Sequence, residues 1–260
     1  MHIIFYIFII FYGFLFSSMI SFAHVFTDRC RLAFYETSRK TIKEKWKFIL
    51  TGRSHCESCG SNISFLYLFP VFGFLFSGGK CSHCRNNIPK VHLIEETLAF
   101  IYGALFFYLC KENHVLTVIM SMYILLCYFI SVIDYKYFII PDESIILFLC
   151  IAILEKIFFH DNVNFILLIS IPITWFALFH LIYYLMPGKM GWADIHLVFI
   201  LSIALGYPHS LYLPTVASFM AILYFFIKYR KLSWETAKLN KIPFGLFLSL
   251  AFLFQKLIPI

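Results

Sequence analysis

The stretch "VLTVIMSMYILLCYFISVIDYKYFIIPD", residues 115–142, decides the fold class of this chain. Residues 115–133 are uncharged and long enough, as a helix, to cross a hydrocarbon core of about 30 Å. Asp134 stands directly at the end of this run, and Asp142 follows a proline a few residues later. A carboxylate at the edge of the hydrocarbon is costly, and such residues usually mark a working site. The stretch therefore predicts a membrane helix that ends in a functional carboxylate.

The composition supports a membrane protein. The chain has 260 residues, of which 61% are hydrophobic and 13% charged, and its mean hydropathy is +0.83. A water-soluble domain of this size has no use for so much apolar surface, because a single core would saturate first. The net charge of +7 would also suit nucleic acid, but in a membrane protein Lys and Arg chiefly report topology. We therefore expect membrane lipid around the chain and no nucleic-acid partner.

Apolar segments recur along the chain and predict an all-α integral membrane protein with about eight transmembrane helices. The predicted segments are 3–26, 94–110, 115–133, 143–159, 164–186, 195–206, 210–227 and 242–258. The sixth segment is short for a span. Between the first two segments, residues 27–93 form a long polar stretch, which we expect to be a loop.

Basic residues predict the orientation. With the N-terminus outside, the inside loops are 27–93, 134–142, 187–194 and 228–241, and they hold 18 of the 21 Lys and Arg residues. This asymmetry places the large loop and Asp134 on the cytoplasmic face. A cleaved signal peptide ending at Ala23 is the alternative for the N-terminus. It is disfavoured because the stretch lacks a basic start and its apolar run exceeds about 15 residues.

The eight cysteines fall into two groups. Those in or beside apolar segments are interpreted as small hydrophobic side chains: Cys30, Cys110, Cys127 and Cys150. The other four form two C-x-x-C pairs in the large loop: Cys56, Cys59, Cys81 and Cys84. This spacing is typical of a closed, structural four-cysteine zinc site, which would stabilise a loop that is poor in core-forming residues. Structural disulfides and redox-active pairs are the alternatives. His55 and His83 could each replace a cysteine as ligand, but with four thiols present we expect neither to bind the metal.

A second carboxylate stands in "GKMGWADIHLV", residues 188–198, where Asp194 precedes the sixth apolar segment on the same predicted side as Asp134. Two carboxylates that share a partly desolvated site cannot both ionise easily, so the pair holds a proton between them. Such a pair can activate a water as general base and protonate an amide carbonyl as general acid. The pattern therefore predicts peptide hydrolysis by Asp134 and Asp194.

Helix capping is the alternative for each aspartate. Asp194 stands where an N-cap residue would stand, and Asp142 follows Pro141 just before the fourth segment. For Asp142 we favour this structural role, with Glu143 as a first-turn carboxylate. For Asp194 we favour catalysis.

At these residues the chain resembles the type IV prepilin peptidases, also called leader peptidase/N-methyltransferases. "IDYKYFIIPD" is similar to the family's first catalytic block and "MGWADIHL" to its G-x-G-D-x-K-L block, which implies catalytic roles for Asp134 and Asp194. The paired cysteines resemble the family's cytoplasmic zinc loop. "SFAHVFTDR" is similar to a motif at the end of the family's first helix, and "KIPFGLFLSL" to its closing P-F-G-P-F-L.

The sequence departs from the family's motifs at four positions. Ala193 replaces a glycine, His196 a lysine, His24 an asparagine and Leu246 a proline. These changes bear on rate and pH optimum more than on the fold. Glu96 aligns with an acidic residue of the family, although a simple helix-start carboxylate is the slightly favoured interpretation.

The resemblance implies a function. Members of the family remove the basic leader from type IV prepilins and pseudopilins at the cytoplasmic face of the inner membrane, in pilus, secretion or DNA-uptake systems. Bifunctional members then methylate the new N-terminus with S-adenosylmethionine, and the zinc loop is associated with that second activity. The implied division is a first helix at 1–26, a zinc-binding loop at 27–93 and a peptidase domain at 94–260. No part of the sequence indicates an oligomeric state.

A function of another class is also open. A secondary transporter would use Asp134 and Asp194 as a proton or cation relay. It predicts an inverted repeat between two halves, which the sequence lacks, and it gives no reason for a zinc-stabilised loop.

Overall fold

The computed structural model of the chain describes residues 2–33, 41–56, 58–109, 113–159, 164–231 and 240–256. Within these ranges the regular elements are all helices, which confirms the all-α prediction for this part of the chain. The α-helices are α1 His2–Arg31, α2 Ile42–Thr51, α3 Phe72–Phe76, α4 Lys90–Leu109, α5 His114–Tyr137, α6 Asp142–Phe158, α7 Phe165–Leu185, α8 Trp192–Leu205, α9 His209–Tyr229 and α10 Phe244–Lys256. A short 3₁₀ helix, Phe65–Leu68, precedes α3.

A helix lies at each of the eight predicted positions. Five of these helices, α1, α4, α5, α7 and α9, are long and apolar enough to cross a membrane. The other three, α6, α8 and α10, have 17, 14 and 13 residues, so the count of eight spans stays a prediction. Many large apolar side chains on the long helices are exposed, as lipid contact requires; Ile166 on α7 is 77% exposed. Most of the predicted basic loop 228–241 lies outside the described residues.

The chain divides into two compact units, Met1–Thr117 and Val118–Ile260. The first contains the paired cysteines, and the second contains both Asp134 and Asp194. The functional division predicted at residues 26 and 93 stays a prediction.

The first unit is organised by α1 and α4, which pack side by side. Their aromatic side chains interlock, with ring centroids of Tyr12 and Phe107 5.1 Å apart and those of Phe14 and Phe100 4.8 Å apart. Aromatic pairs at these separations add to the packing of apolar area. The two helices thus form a rigid pair whose polar ends lead into the cysteine-containing segment.

The segment predicted as the loop 27–93 contains α2, which the sequence interpretation missed. Thr41 accepts a hydrogen bond from the Glu44 backbone N–H, and Glu44 accepts one from the Thr41 backbone N–H at 3.0 Å. This T-x-x-E capping box is a local signal for a helix start that can be read from sequence. The buried guanidinium of Arg29 donates to the carbonyls of Ile49 and Gly52, at 2.9 and 2.7 Å, and so holds α2 against α1.

The second unit has an aromatic core beside a buried ion pair. The rings of Tyr123, Phe148 and Phe252 are fully buried and lie 5.0–5.2 Å from one another. The Lys256 ammonium on α10 lies 2.6 Å from the Glu155 carboxylate on α6, which also accepts from the Tyr123 hydroxyl at 2.8 Å. A charge inside an apolar core is tolerated only when it is paired and hydrogen-bonded, as it is here.

Candidate active site and metal centre

Asp134 lies in the last turn of α5 and is 4% exposed. Its Oδ2 accepts a hydrogen bond from the backbone N–H of Leu246, at 3.0 Å, in the first turn of α10. Helix α5 stops just beyond it, because Phe138 adopts a left-handed φ of 55° and donates its N–H back to the Asp134 carbonyl at 2.9 Å. The Asp134 carboxylate is thus held in place by the end of α5 and the start of α10.

Residues of the motif "KIPFGLFLSL" pack against the Asp134 side chain. A Cβ on Gly245 would lie 3.0 Å from Asp134 Oδ2 and 2.7 Å from Ile140 Cδ1, so only glycine fits here without displacement. Leu246, which stands where the family's motif has proline, provides an N–H that proline lacks. The residues "FGL" at 244–246 therefore form one wall of the Asp134 site, a role that sequence alone does not reveal.

Asp194 lies at the third position of α8 and is half-buried. It is not the N-cap, as the capping alternative supposed; the N-cap is Gly191, whose backbone N–H donates to Asp194 Oδ2 at 3.3 Å. A Cβ on Gly191 would lie 2.8 Å from that same oxygen. Each aspartate thus has one carboxylate oxygen seated against a glycine and near a backbone N–H.

The structure brings Asp134 and Asp194 together within the second unit, near enough for the charge of one to act on the other. Because Asp134 is buried and Asp194 half-buried, water screens their charges less than it would at an exposed surface. The two carboxylates are therefore a candidate acid–base pair.

Asp142 and Glu143 are not part of this arrangement. Both are exposed in the first turn of α6, where the N-cap position belongs to Pro141. Asp142 is therefore a first-turn carboxylate and not the cap that its position after proline suggested. Its negative charge stabilises the positive N-terminal end of the helix dipole, which is a structural role.

His196 lies one turn after Trp192 on α8, and its Nδ1 is 3.1 Å from the Trp192 carbonyl. Its ring packs against Trp192, Phe176 and His180, with centroids 5.2, 5.7 and 6.4 Å away. The histidine that replaces the family's lysine is thus part of an aromatic cluster next to Asp194.

The four paired cysteines converge in the first unit, with all four Sγ atoms within 4.8 Å of one another. The Sγ atoms of Cys56 and Cys84 are 3.9 Å apart, and those of Cys59 and Cys81 are 4.0 Å apart. In a tetrahedral site with zinc–sulfur bonds of about 2.3 Å, sulfur atoms lie about 3.8 Å apart. The residues therefore fit a four-coordinate metal ion.

The two C-x-x-C segments have the same backbone design. In the first, the N–H of Gly60 donates to the Cys56 carbonyl at 2.8 Å; in the second, the N–H of Arg85 donates to the Cys81 carbonyl at 3.1 Å. Gly60 and Arg85 both have left-handed φ values, 69° and 60°. The repeated turn points both thiols of each segment toward one place.

The thiols of the cluster differ in how readily they ionise. At Cys84 a hydrogen bond from the Asn86 backbone acts to lower the pKa, but burial and the neighbouring thiols raise it to about 11. Cys81 shows the opposite shift. Backbone N–H groups of Cys84 and His83 act on the Cys81 sulfur and lower the pKa of its thiol to about 6. A thiol with that pKa is mostly thiolate at neutral pH, which is the form that binds metal. Of the other cysteines, Cys30 and Cys127 are buried and Cys150 is exposed on α6. Cys110 lies outside the described residues.

Glu96 lies in the second turn of α4, so its interpretation as a helix-start carboxylate is wrong. It accepts hydrogen bonds from the Ser21 hydroxyl and from the backbone N–H of Val71, both at 2.7 Å. Val71 has a φ of 65°, a strained value for a β-branched residue. Glu96 thus ties α1, α4 and the segment before α3 together.

The fold and these clusters define a class of protein: a multi-pass membrane protein with an aspartate pair in one unit and a candidate metal centre in the other. Two family models match this chain. The Bacterial Peptidase A24 N-terminal domain matches residues 14–110, and the Type IV leader peptidase family matches residues 120–226. The chain belongs to the type IV prepilin peptidase family.

Two curated relatives are similar to parts of the chain, and both carry the name prepilin leader peptidase/N-methyltransferase. The one from Vibrio cholerae serotype O1 is 30% identical over 110 residues, which cover 42% of this chain and 43% of the relative. The one from Bacillus subtilis (strain 168) is 30% identical over 105 residues, which cover 39% and 40%. The matched stretch thus spans about two fifths of these relatives. No solved structure matches the chain significantly.

Proposed function

We propose that this protein is an aspartyl endopeptidase that removes the leader peptide of type IV prepilins or pseudopilins. The observation that carries the proposal is the pairing of Asp134 and Asp194 at helix ends in one unit, each seated against a glycine. Membership of the prepilin peptidase family supports the same substrate class.

The chemistry follows from the pair sharing one proton. The ionised carboxylate removes a proton from a water molecule, which attacks the scissile carbonyl, while the protonated carboxylic acid donates its proton to the carbonyl oxygen. Asp134 has a backbone N–H on Oδ2 at 3.0 Å, whereas the corresponding contact of Asp194 is longer, at 3.3 Å. A hydrogen bond to a carboxylate favours its charged form, so we assign the base to Asp134 and the acid to Asp194.

The site's location suits this substrate class. Asp134 ends a helix long enough to span the membrane, and the distribution of Lys and Arg puts that end on the cytoplasmic side. A prepilin inserted with its apolar helix in the bilayer and its basic leader in the cytoplasm would present its scissile bond at this depth. We therefore propose a multi-pass protein of the inner membrane with its active site toward the cytoplasm.

Zinc is the proposed metal at Cys56, Cys59, Cys81 and Cys84. Four thiolate ligands close the coordination shell, so the ion would supply structure and no catalysis. It would hold the two C-x-x-C turns together in a segment with little hydrophobic core, where the side chains of the 3₁₀ helix Phe65–Leu68 are all exposed.

N-methylation of the new N-terminus is the proposed second activity. Its support is the name that both curated relatives share. S-adenosylmethionine would supply the methyl group.

A cleavage assay tests the proposed peptidase and separates it from the transporter alternative. The purified full chain in liposomes is mixed with a prepilin, and leader loss is followed on a gel. We expect Asp134→Asn and Asp194→Asn each to lower the rate about 100-fold or more, because each removes one partner of the acid–base pair. Asp142→Asn, an exposed aspartate outside the pair, serves as the matched control and should cleave like wild type. Wild-type rates in both catalytic variants would refute the pair.

A further inference from the structure

We propose that His24, His92 and Glu95 form a second metal site in the first unit, one that takes a divalent transition-metal ion. One ligand atom from each of these side chains lies within 4.8 Å of the others. His92 and Glu95 are three positions apart on α4 and so share a face of that helix, while His24 approaches from α1. Two imidazoles and one carboxylate are a donor set that suits zinc and its first-row neighbours.

The helices that carry the three ligands are held in register beside the site. The Ser17 hydroxyl donates to the Glu96 carbonyl at 2.8 Å, and the Ser21 hydroxyl donates to the Glu96 carboxylate at 2.7 Å. His24 follows Ser21 by about one helical turn, and Glu95 directly precedes Glu96. Ligands on rigid, cross-linked helices keep their geometry better than ligands on loops.

The distances are compatible with a bound ion after small side-chain rotations. In a tetrahedral site with bonds of about 2.0–2.1 Å, ligand atoms lie about 3.3 Å apart. His24 Nε2 and Glu95 Oε2 are now 2.6 Å apart, so they would separate by about 0.7 Å, and His92 would move inward. The His24 and Glu95 side chains are 14% and 29% exposed, which leaves an ion a path to the site.

An ion pair between His24 and Glu95 would by itself account for the positions of these two side chains. It does not require His92, whose ring stands edge-on to that of His24 with centroids 5.4 Å apart. The convergence of a third ligating side chain on the pair is what points to a metal. Three protein ligands would leave one tetrahedral position for water, unlike the closed four-cysteine site.

Zinc stoichiometry of the full chain in detergent tests the site. After zinc loading and desalting, we expect about two zinc ions per wild-type chain, one at each site. His24→Asn and Glu95→Gln should each retain about one, held by the four cysteines. His180→Asn changes a half-buried helix histidine of the second unit, so it is the matched control and should retain both.

X-ray absorption at the zinc edge separates the two sites by the atoms that bind the metal, and it also checks that a variant is folded. Wild type should show nitrogen or oxygen scatterers as well as sulfur, and His24→Asn should show sulfur alone. That sulfur signal also demonstrates that the variant's first unit is folded. A sulfur-only spectrum in wild type, an unchanged zinc content in both variants, or second-site zinc that desalting removes would each overturn the proposal and leave an ion pair.

Discussion

Replacing Gly245 by alanine tests whether the seat of Asp134 matters for peptidase activity. The added methyl would lie 3.0 Å from Asp134 Oδ2 and 2.7 Å from Ile140 Cδ1. The Cδ1 methyl of Ile140 is the end of a flexible side chain and can rotate away. The carboxylate has less freedom, because its Oδ2 is bound to the Leu246 N–H and the aspartate is 4% exposed.

The size of the effect follows from these distances. An ordinary contact of about 3.4 Å requires the carboxylate to retreat by about 0.4 Å, which stretches its 3.0 Å hydrogen bond toward the limit of such bonds. A hydrogen bond to a charged group is worth about 1.5–3 kcal/mol, and a 1 Å misplacement of a reacting group can cost about 100-fold in rate. At about 1.4 kcal/mol for each factor of ten, Gly245→Ala should lower kcat/KM roughly 10- to 100-fold.

The assay is prepilin cleavage in liposomes, with thermal unfolding in detergent measured in parallel. The control is Ala251→Val, which adds bulk to a buried position further along α10 without approaching Asp134. Both variants should lose about 1–3 kcal/mol of stability through overpacking, but only Gly245→Ala should lose the cleavage rate. Full activity in Gly245→Ala at wild-type stability would refute the assigned seat of Asp134.

Three further outcomes are expected. Cys81→Ser should abolish zinc retention by the four-cysteine site and unfold the segment around it, as followed by metal analysis and proteolysis; unchanged zinc content would exclude a four-thiolate site. Gly60→Ala should weaken zinc binding by about 1–2 kcal/mol, because it places a Cβ on a residue with left-handed backbone angles. Arg85→Ala, at the equivalent position of the second turn, already has a Cβ there and should change zinc affinity little. Equal losses of zinc affinity in the two variants would contradict this. Glu155→Gln should lower the free energy of unfolding by about 3–5 kcal/mol because it leaves Lys256 buried with no counter-charge, and adding Lys256→Gln should restore part of that loss; no change in the melting temperature of Glu155→Gln would show that the pair is not needed.

The features that sequence predicted well are those set by local pattern. Apolar runs located a helix at each of the eight expected positions, and the C-x-x-C spacing identified four thiols that do meet. The charge of Asp134 acts on Asp194, as expected of two carboxylates near one another, and their catalytic roles stay a prediction. In each case a short motif or a simple periodicity carries the information.

The features that sequence missed depend on which helices pack together. Glu155 and Lys256 lie inside apolar segments, and nothing local indicates that one neutralises the other. Gly191 and Gly245 lie against the two carboxylates because of how the helices pack, and no local motif encodes that contact. The capping positions were wrong by one to three residues, because the helices begin at Asp142 and Trp192, ahead of where hydropathy alone starts them.

The contacts of α10 bear on how the protein is made. The partners that this helix provides, the N–H on Asp134 and the ammonium on Glu155, come from a segment synthesised long after α5 and α6. While translation proceeds, Glu155 sits in a nascent apolar helix without its counter-charge, and Asp134 lacks its wall. The second unit is therefore completed only when α10 packs into it, so the proposed protease would remain latent during its own synthesis.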